Sequence, residues 1–558
     1  MPASIRVSGP GVFAVDARRM IERDAIRLSI VSAVVISALL LAVYRSAAAL
    51  LLGLLPVATG ALAGVAAVAL GFDRVHGVTL GFGVTLIGEA VDYSIYLFIQ
   101  SRNGADSAWI SRFWPTIRLG MLTSVAGFAS LLPSKFPGLA QLGLYSIAGL
   151  TAAALVTRFV LTALMPRAMV VAIAAPLGPA LVGVLTGLRR ARALLWLVPL
   201  LAMAALYLQR DHLWNRELSA LNPISPSAMT FDGDLRADLG APDVRTLIVL
   251  SGRSSDSVLE AAEAAGSALD SLLTAGVIAG YQSPADYLPS LSAQRLRRAA
   301  LPAAADLTQR VAAATATLPV RPERLAPFVQ DVEAARNGPL LSRASLETTS
   351  MAAGVDALLV RQAERWNAII PLQAPRAGSS AYAINVPRVD DALRALAAPG
   401  VEVTVLDLKT ASDAMYSGYL NEAMRLSLAG FAAILLLLLI ALRSARRTIR
   451  VVAPLLLAVL AVMAGFAPAG MPLTILHLIC LLLIVASGSN YALFFERESD
   501  AVPAAPMFVS LLVANLTTVI GFGALSLSSI PVLAALGSTV APGAFLALIF
   551  SAMLARSG

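Results

Sequence analysis

Of 558 residues, 58% are hydrophobic and only 14% charged, far below the roughly 25% charged residues of an ordinary soluble domain; with a mean hydropathy of +0.77, the chain is expected to be an integral membrane protein. Its net charge of +8 comes almost wholly from arginine, because Lys135 and Lys409 are the only lysines. Those arginines, among them Arg45, Arg118, Arg189, Arg443 and Arg497, fall beside every second inter-helix loop, the positive-inside pattern of a membrane protein, so no nucleic-acid partner is expected.

Taken in chain order, residues 1–26 lack a signal-peptide core: the apolar run from Val7 to Val15 is broken by glycines and a proline and is followed by Asp16, Arg18 and Arg19. They read as the tail of a preceding domain. Apolar runs long enough to cross a bilayer, ~20 residues each, fall at 27–44, 47–70, 77–100, 117–132 and 139–165 and make a first bundle over 27–166. Within 167–192, the piece from Ala168 to Gly187 is apolar but interrupted by Pro176 and Pro179 and runs into Arg189, Arg190 and Arg192. It is expected as a cytoplasmic interfacial helix, with a true span as the alternative. A further span follows at 193–208.

From 209 to 424 the texture changes to mixed charge and amphipathic pattern, the mark of a folded soluble domain. Arg245–Leu250 reads as a buried strand, followed by a helix from about Asp256 and a strand near Val277. Strands at Ala381–Val386 and Val401–Val405 bracket a helix at about Asp390–Ala397. Two β-α-β units predict an α+β sandwich of ferredoxin-like type, and the arginine distribution puts it on the outer side. The second bundle, 425–558, carries spans at 425–442, 451–469, 473–495, 507–527 and 532–554, which makes eleven in all.

The two bundles are copies. Tyr44-Arg45-Ser46, Pro56 and Asp92-Tyr93 recur 398 positions later (490 − 92) as Leu442-Arg443-Ser444, Pro454 and Asn490-Tyr491. Thr123-Ser124-Val125-Ala126-Gly127-Phe128, Pro137 and Leu142-Gly143 return 394 positions later (517 − 123) as Thr517-Thr518-Val519-Ile520-Gly521-Phe522, Pro531 and Leu536-Gly537. Internal repeats around a midplane site mark secondary transporters. The matched prolines are expected to bend their helices, either as hinges or as fixed kinks.

The single cysteine, Cys480, sits in an apolar run and excludes an internal disulfide. His76, His212 and His477 share no ligand spacing, so neither metal nor cofactor is expected. Energy is expected from an ion gradient, since no phosphate-binding Gly-x-x-x-x-Gly-Lys-Ser/Thr loop occurs. A Gly-x-Ser-x-Gly elbow is also absent, and the chain is not expected to be an enzyme.

The duplicated bundles, Gly88-Glu89-Ala90-Val91-Asp92-Tyr93, Leu122–Phe128 and Ala237-Asp238-Leu239-Gly240-Ala241-Pro242-Asp243 together resemble the resistance-nodulation-division (RND) superfamily, specifically its MMPL branch and the bacterial "predicted exporter" subgroup. The resemblance implies a twelve-helix inner-membrane unit with two periplasmic porter domains that exports lipids, fatty acyl conjugates or aryl-polyene products, driven by proton entry. By that comparison the chain starts just before the second helix, and a first helix and first porter domain are expected to be missing or supplied by a separate chain.

Glu89 and Asp92, three residues apart, share one face of a helix near mid-membrane, and Tyr96 extends the stripe. A carboxylate there costs at least ~2.5–3.5 kcal/mol, so it is expected to be protonated, paired or facing a water-filled seam. A proton shared between the two carboxyls, loaded from outside and released inward at Asp92, is the functional reading; a structural polar pair joining two helices is the alternative. The resemblance assigns a relay role to Asp92 and Tyr93, and puts Tyr491 beside a position where relatives carry a second aspartate. Here that position is Asn490, and Ser487 stands at the counterpart of Glu89. The second copy can therefore hydrogen-bond but not titrate, and Asn490 and Tyr491 are expected as donors to Asp92.

Thr123, Ser124, Asn515, Thr517 and Thr518 are candidate supports of the relay, or hydroxyls and amides bonded back to their own helices. His477 is placed near the outer end of its helix, and the arginines from Arg443 to Arg450 are expected against anionic headgroups. The expected function is proton-driven export of a hydrophobic substrate, with membrane lipids, protons and that substrate as partners and the homo-oligomeric state left open. Two alternatives stand: an RND-type accessory to protein export, and a non-transporting membrane scaffold or lipid-binding relic.

Overall fold

The computed structural model describes residues 7–75, 77–100, 107–165, 183–184, 186–210, 213–239, 245–375, 384–394, 400–468, 470–497 and 505–555. The chain divides into two compact units: Met1–Ser225 with Asp413–Gly558, and Pro226–Ser412.

The first bundle consists of α1 (Pro10–Tyr44), α2 (Ala47–Gly71), α3 (Gly77–Gln100), α4 (Ser107–Ala129) and α5 (Pro137–Leu155). A π-helical turn over Val156–Leu161 and a last turn over Thr162–Leu164 prolong α5. The boundary expected at residue 26 falls inside a helix, because α1 runs unbroken through its 35 residues from Pro10. Its polar N-terminal part is rich in arginine and alanine, which favour helix and let the apolar part propagate upstream. After a 3-10 turn at Ala191–Trp196 comes α6 (Leu197–Leu208). Most of the apolar stretch 168–187 lies outside the described residues.

In the second unit α7 (Pro226–Leu239) precedes β1 (Thr246–Gly252), α8 (Ser255–Thr274) and β2 (Gly280–Tyr281). An excursion follows, with α9 (Leu291–Ala300), α10 (Ala304–Thr315), α11 (Ala326–Asn337) and α12 (Met351–Leu358). The chain then makes β3 (Leu359–Gln362), β4 (Arg365–Gln373), α13 (Val386–Arg394) and β5 (Glu402–Asp407).

The sheet order is β2-β4-β1-β5, all antiparallel, with β3 as an extra hairpin arm on β4. With α8 linking β1 to β2 and α13 linking β4 to β5, the connectivity is that of a split β-α-β unit. The alternation of β1 turns Ile248 and Leu250 inward against Val258, Ala262, Leu269, Ala368 and Ile370. The strand expected at Ala381–Val386 is corrected. Residues 381–383 lie outside the described residues and Val386 opens α13. The strand completing the second unit is β4, whose buried Ala368, Ile370 and Leu372 carry the period-two pattern.

The second bundle comprises α14 (Leu408–Leu442), α15 (Ala445–Phe466), α16 (Ile475–Arg497), α17 (Ala505–Leu525) and α18 (Pro531–Leu554). The helix expected from 425 thus begins at Leu408, and residues 209–225 and 413–424, read as part of the soluble domain, belong to the helical unit. Nine helices among the described residues are long and apolar enough to cross a membrane. The other two read as spans, α3 and α4, are helices of 24 and 23 residues packed among them. The chain is a multi-pass membrane protein.

The repeat extends to backbone detail. Helices α1 and α14 both have 35 residues and begin 398 positions apart (408 − 10). Each ends on an arginine in the left-handed region, Arg45 at φ 52° and Arg443 at φ 49°, where glycine is usual. Each following helix is capped by a serine: Ser46 Oγ accepts from the Ala49 amide at 3.3 Å and Ser444 Oγ from the Arg447 amide at 3.4 Å. The repeated Leu-Gly pair has a packing cause, since a Cβ on Gly143 would stand 2.7 Å from the Phe128 carbonyl oxygen and one on Gly537 2.6 Å from that of Phe522. Only glycine permits that approach.

Candidate functional site

The candidate carboxyls and their counterparts in the second copy lie on two enclosed helices of the helical unit, α3 and α16. Every residue of α3 from Gly88 to Gln100 is buried, and 94% of the apolar window of α16 is buried against 33% in α2. Each central helix packs on a helix of the other copy, α3 on α17 and α16 on α4. Small residues allow this: the Gly88 Cβ position is 3.4 Å from Thr518 Cα, and that of Gly127 is 3.3 Å from Ala486 Cβ.

Glu89 and Asp92 are 5% and 1% exposed. Glu89 Oε1 accepts from Ser124 Oγ on α4 at 2.5 Å. Neither Asp92 oxygen meets hydrogen-bond geometry. The Thr517 hydroxyl stands beside it but donates to the Ala514 carbonyl at 2.7 Å. An ionised Asp92 would be a buried charge without a counter-ion. Tyr93 beside it is fully buried, with its hydroxyl unpartnered.

In the second copy Asn490 is turned to α4. A Cβ on Gly120 would fall 1.5 Å from Asn490 Oδ1, so the amide fills the space that this glycine leaves, and its Nδ2 is unpartnered. Tyr491 is fully buried, with Asp92, Thr518 and Asn515 around it, yet neither its hydroxyl nor that of Thr518 reaches hydrogen-bond geometry. The expectation that Asn490 and Tyr491 donate to Asp92 finds no hydrogen bond in this structure.

The remaining candidates divide. Ser124 is bonded to Glu89, and the Thr123 hydroxyl lies 2.7 Å from that of Ser489 across the α4–α16 contact. Asn515 Nδ2 donates to the Ala544 carbonyl at 2.7 Å, which ties α17 to α18. His477 lies in the first turn of α16, where its Nδ1 accepts from the Thr474 amide at 3.1 Å and its ring meets Phe466 edge-on at 4.9 Å. Cys480 is buried and free.

Three groupings were not read from the sequence. The Tyr44 hydroxyl is buried and unpartnered near Ser94 and Asp92, and its ring meets Phe98 at 5.3 Å. Gln100 Nε2 donates to Ser510 Oγ at 2.7 Å; its place two helical steps of four beyond Asp92 was the available signal. Third, Asp24 on α1 accepts from Ser528 Oγ, Ser529 N and Ser529 Oγ at 2.7–2.9 Å. Glu422 on α14 accepts from the Lys135 amide at 2.7 Å. These acids are 398 apart (422 − 24), so each copy's long helix clasps the turn after α17 or α4 in the other copy.

A duplicated bundle of span-length helices with two carboxyl groups buried inside it defines the class as a multi-pass membrane protein with an internal repeat. Residues 1–196 match the model of the MMPL family, so the MMPL resemblance of the first bundle stands. No curated protein matches the chain. Among solved structures the chain is similar to SecDF, a translocon-associated membrane protein from Thermus thermophilus, at 14% identity and a TM-score of 0.51 over 96% of this chain. That alignment covers 61% of the SecDF chain, and at this identity the likeness is one of fold.

Proposed function

We propose that the chain is an RND-type transporter in the inner membrane that exports a hydrophobic substrate, a lipid, fatty acyl conjugate or aryl-polyene product, using proton entry through Asp92. The observation that carries this reading is the pairing of Glu89, bonded to Ser124, with an Asp92 that is 1% exposed and has no hydrogen-bond partner. Ionisable residues at such depth mark ion pathways. Tyr93 and Tyr491 bring hydroxyls to the same seam, while Asn490 leaves the relay with carboxyls on one copy only. The unit Pro226–Ser412 serves as the porter domain on the periplasmic side. The test is proton flux into vesicles reconstituted with the protein and carrying an internal pH dye: Asp92→Asn abolishes flux at wild-type abundance, and flux retained by that variant removes Asp92 from the mechanism.

A second reading, an accessory to protein export, is favoured by the fold likeness to a translocon-associated protein. Depletion of the chain separates the two: accumulation of unexported preproteins favours the accessory, and retention of one lipid class inside the cell favours the exporter.

A further inference from the structure

Asp92, Tyr96 and Gln100 occupy successive positions four apart on α3, one stripe of that helix extending about 12 Å from the carboxyl group to the helix end. All three are at least nine-tenths buried, at 1%, 1% and 8% exposure. Each carries a polar atom without a partner: both Asp92 oxygens, the Tyr96 hydroxyl and Gln100 Oε1. Buried orphan groups in a row are where ordered water is held. Gln100 is fixed from its other side, since Nε2 donates to Ser510 Oγ, and Ser510 Oγ lies 2.7 Å from the Met507 carbonyl. That leaves Oε1 free to orient a water.

The second copy does not continue this way. Phe494 stands where Tyr96 stands in the first copy (494 − 96 = 398), and its ring covers the Tyr96 ring at a centroid distance of 4.9 Å. At Tyr96 the stripe therefore meets an aromatic ring, not a hydrogen-bonding side chain, from the matching position of the other copy.

We propose that Tyr96 and Gln100 form the exit path of the proton, a water file from Asp92 to the arginine-flanked end of α3. Protonated Asp92 gives its proton to a water or to the Tyr96 oxygen, Tyr96 passes its own hydroxyl proton onward, and the last water releases one to the inner solution. Asp92 is left as a carboxylate to be reloaded from the other side, and Tyr96 regains a hydroxyl proton. Gln100 exchanges no proton; it is a positioning residue that holds the last water through Oε1. The path rests on the proton-driven reading above.

The test uses the full chain in vesicles with an internal pH dye, comparing wild type, Asp92→Asn, Tyr96→Phe and Gln100→Leu, alongside carbodiimide labelling of Asp92 read by mass spectrometry. The labelling requires a protonated carboxyl in an intact seam. The expected result is a loss of flux of about tenfold or more in Tyr96→Phe and Gln100→Leu with Asp92 labelled as in wild type. Flux lost together with the labelling assigns both residues to packing and overturns the path. A wild-type flux that Asp92→Asn abolishes but Tyr96→Phe and Gln100→Leu leave unchanged overturns the path alone. A folded wild type without flux overturns the proton-driven reading and the path with it.

Discussion

Gly537→Ala is expected to loosen the second bundle, while Gly521→Ala, in the same repeated block, is not. A Cβ on Gly537 would stand 2.1 Å from the Ser526 amide nitrogen, 2.6 Å from the Phe522 carbonyl oxygen and 2.7 Å from the Leu525 carbonyl carbon. All three are backbone atoms at the end of α17, so no rotamer relieves the clash. Ordinary contact begins at 3.4 Å, which requires α18 to back away from α17 by 1.3 Å (3.4 − 2.1). A gap of that order forfeits a quarter to a half of each contact's dispersion energy, and overpacking of this kind costs about 1–3 kcal/mol. By contrast, a Cβ on Gly521 would meet only Ile36 Cδ1 at 3.7 Å, so its substitution gains helix propensity of up to about 1 kcal/mol. Thermal unfolding of the detergent-solubilised chain, followed by the loss of monodisperse protein on heating, should rank Gly537→Ala below wild type and Gly521→Ala level with it or above. A Gly537→Ala protein as stable as wild type, or a Gly521→Ala protein less stable than Gly537→Ala, would refute the close-packing account of the repeated Leu-Gly motif.

Removal of a repeated cap should be felt locally: Ser444→Ala strips the acceptor from the Arg447 amide and is expected to cost about 1 kcal/mol, read as faster amide exchange in the first turn of α15. In the unit Pro226–Ser412, the Thr410 hydroxyl and then the amides of Thr410 and Lys409 hold Asp407 below the usual carboxylate range. Its folded value being depressed, Asp407 contributes stability that is present above the ordinary carboxylate range near pH ~4 and is lost as the pH falls through the folded value. Asp407→Ala should therefore lower the melting temperature of this unit at neutral pH and flatten its acid limb; an acid limb identical to that of wild type would remove Asp407 from the cause.

Legibility tracked the range of the interaction. The helices around Asp92 and Asn490, the capped Arg-Ser turns and the strands at Thr246–Gly252 and Glu402–Asp407 follow from local periodicity and from a repeat that can be counted. The strand at Arg365–Gln373 was missed because Asn367 and Pro371 interrupt its apolar pattern and its neighbours in the sheet reveal it. The N-terminal extension of α1 was missed for the opposite reason: its polar residues, Arg18, Arg19, Glu22 and Arg23, look like the edge of a domain although they are good helix formers.

The site divides in the same way. Hydropathy, the 398-residue offset (490 − 92) and the spacing of Glu89 and Asp92 suffice to place two carboxyls on one face of one buried helix and an amide at the matching place in the other copy, because these are properties of a helix and of a count. Which groups those side chains meet is set by how helices hundreds of residues apart cross. Glu89 finds Ser124, Asn490 turns into the space above Gly120, the Tyr96 ring lies on Phe494, and Asp92 is left without a donor. Those pairings arise from packing α3 on α17 and α16 on α4, and close packing selects among rotamers that the local sequence leaves equally open.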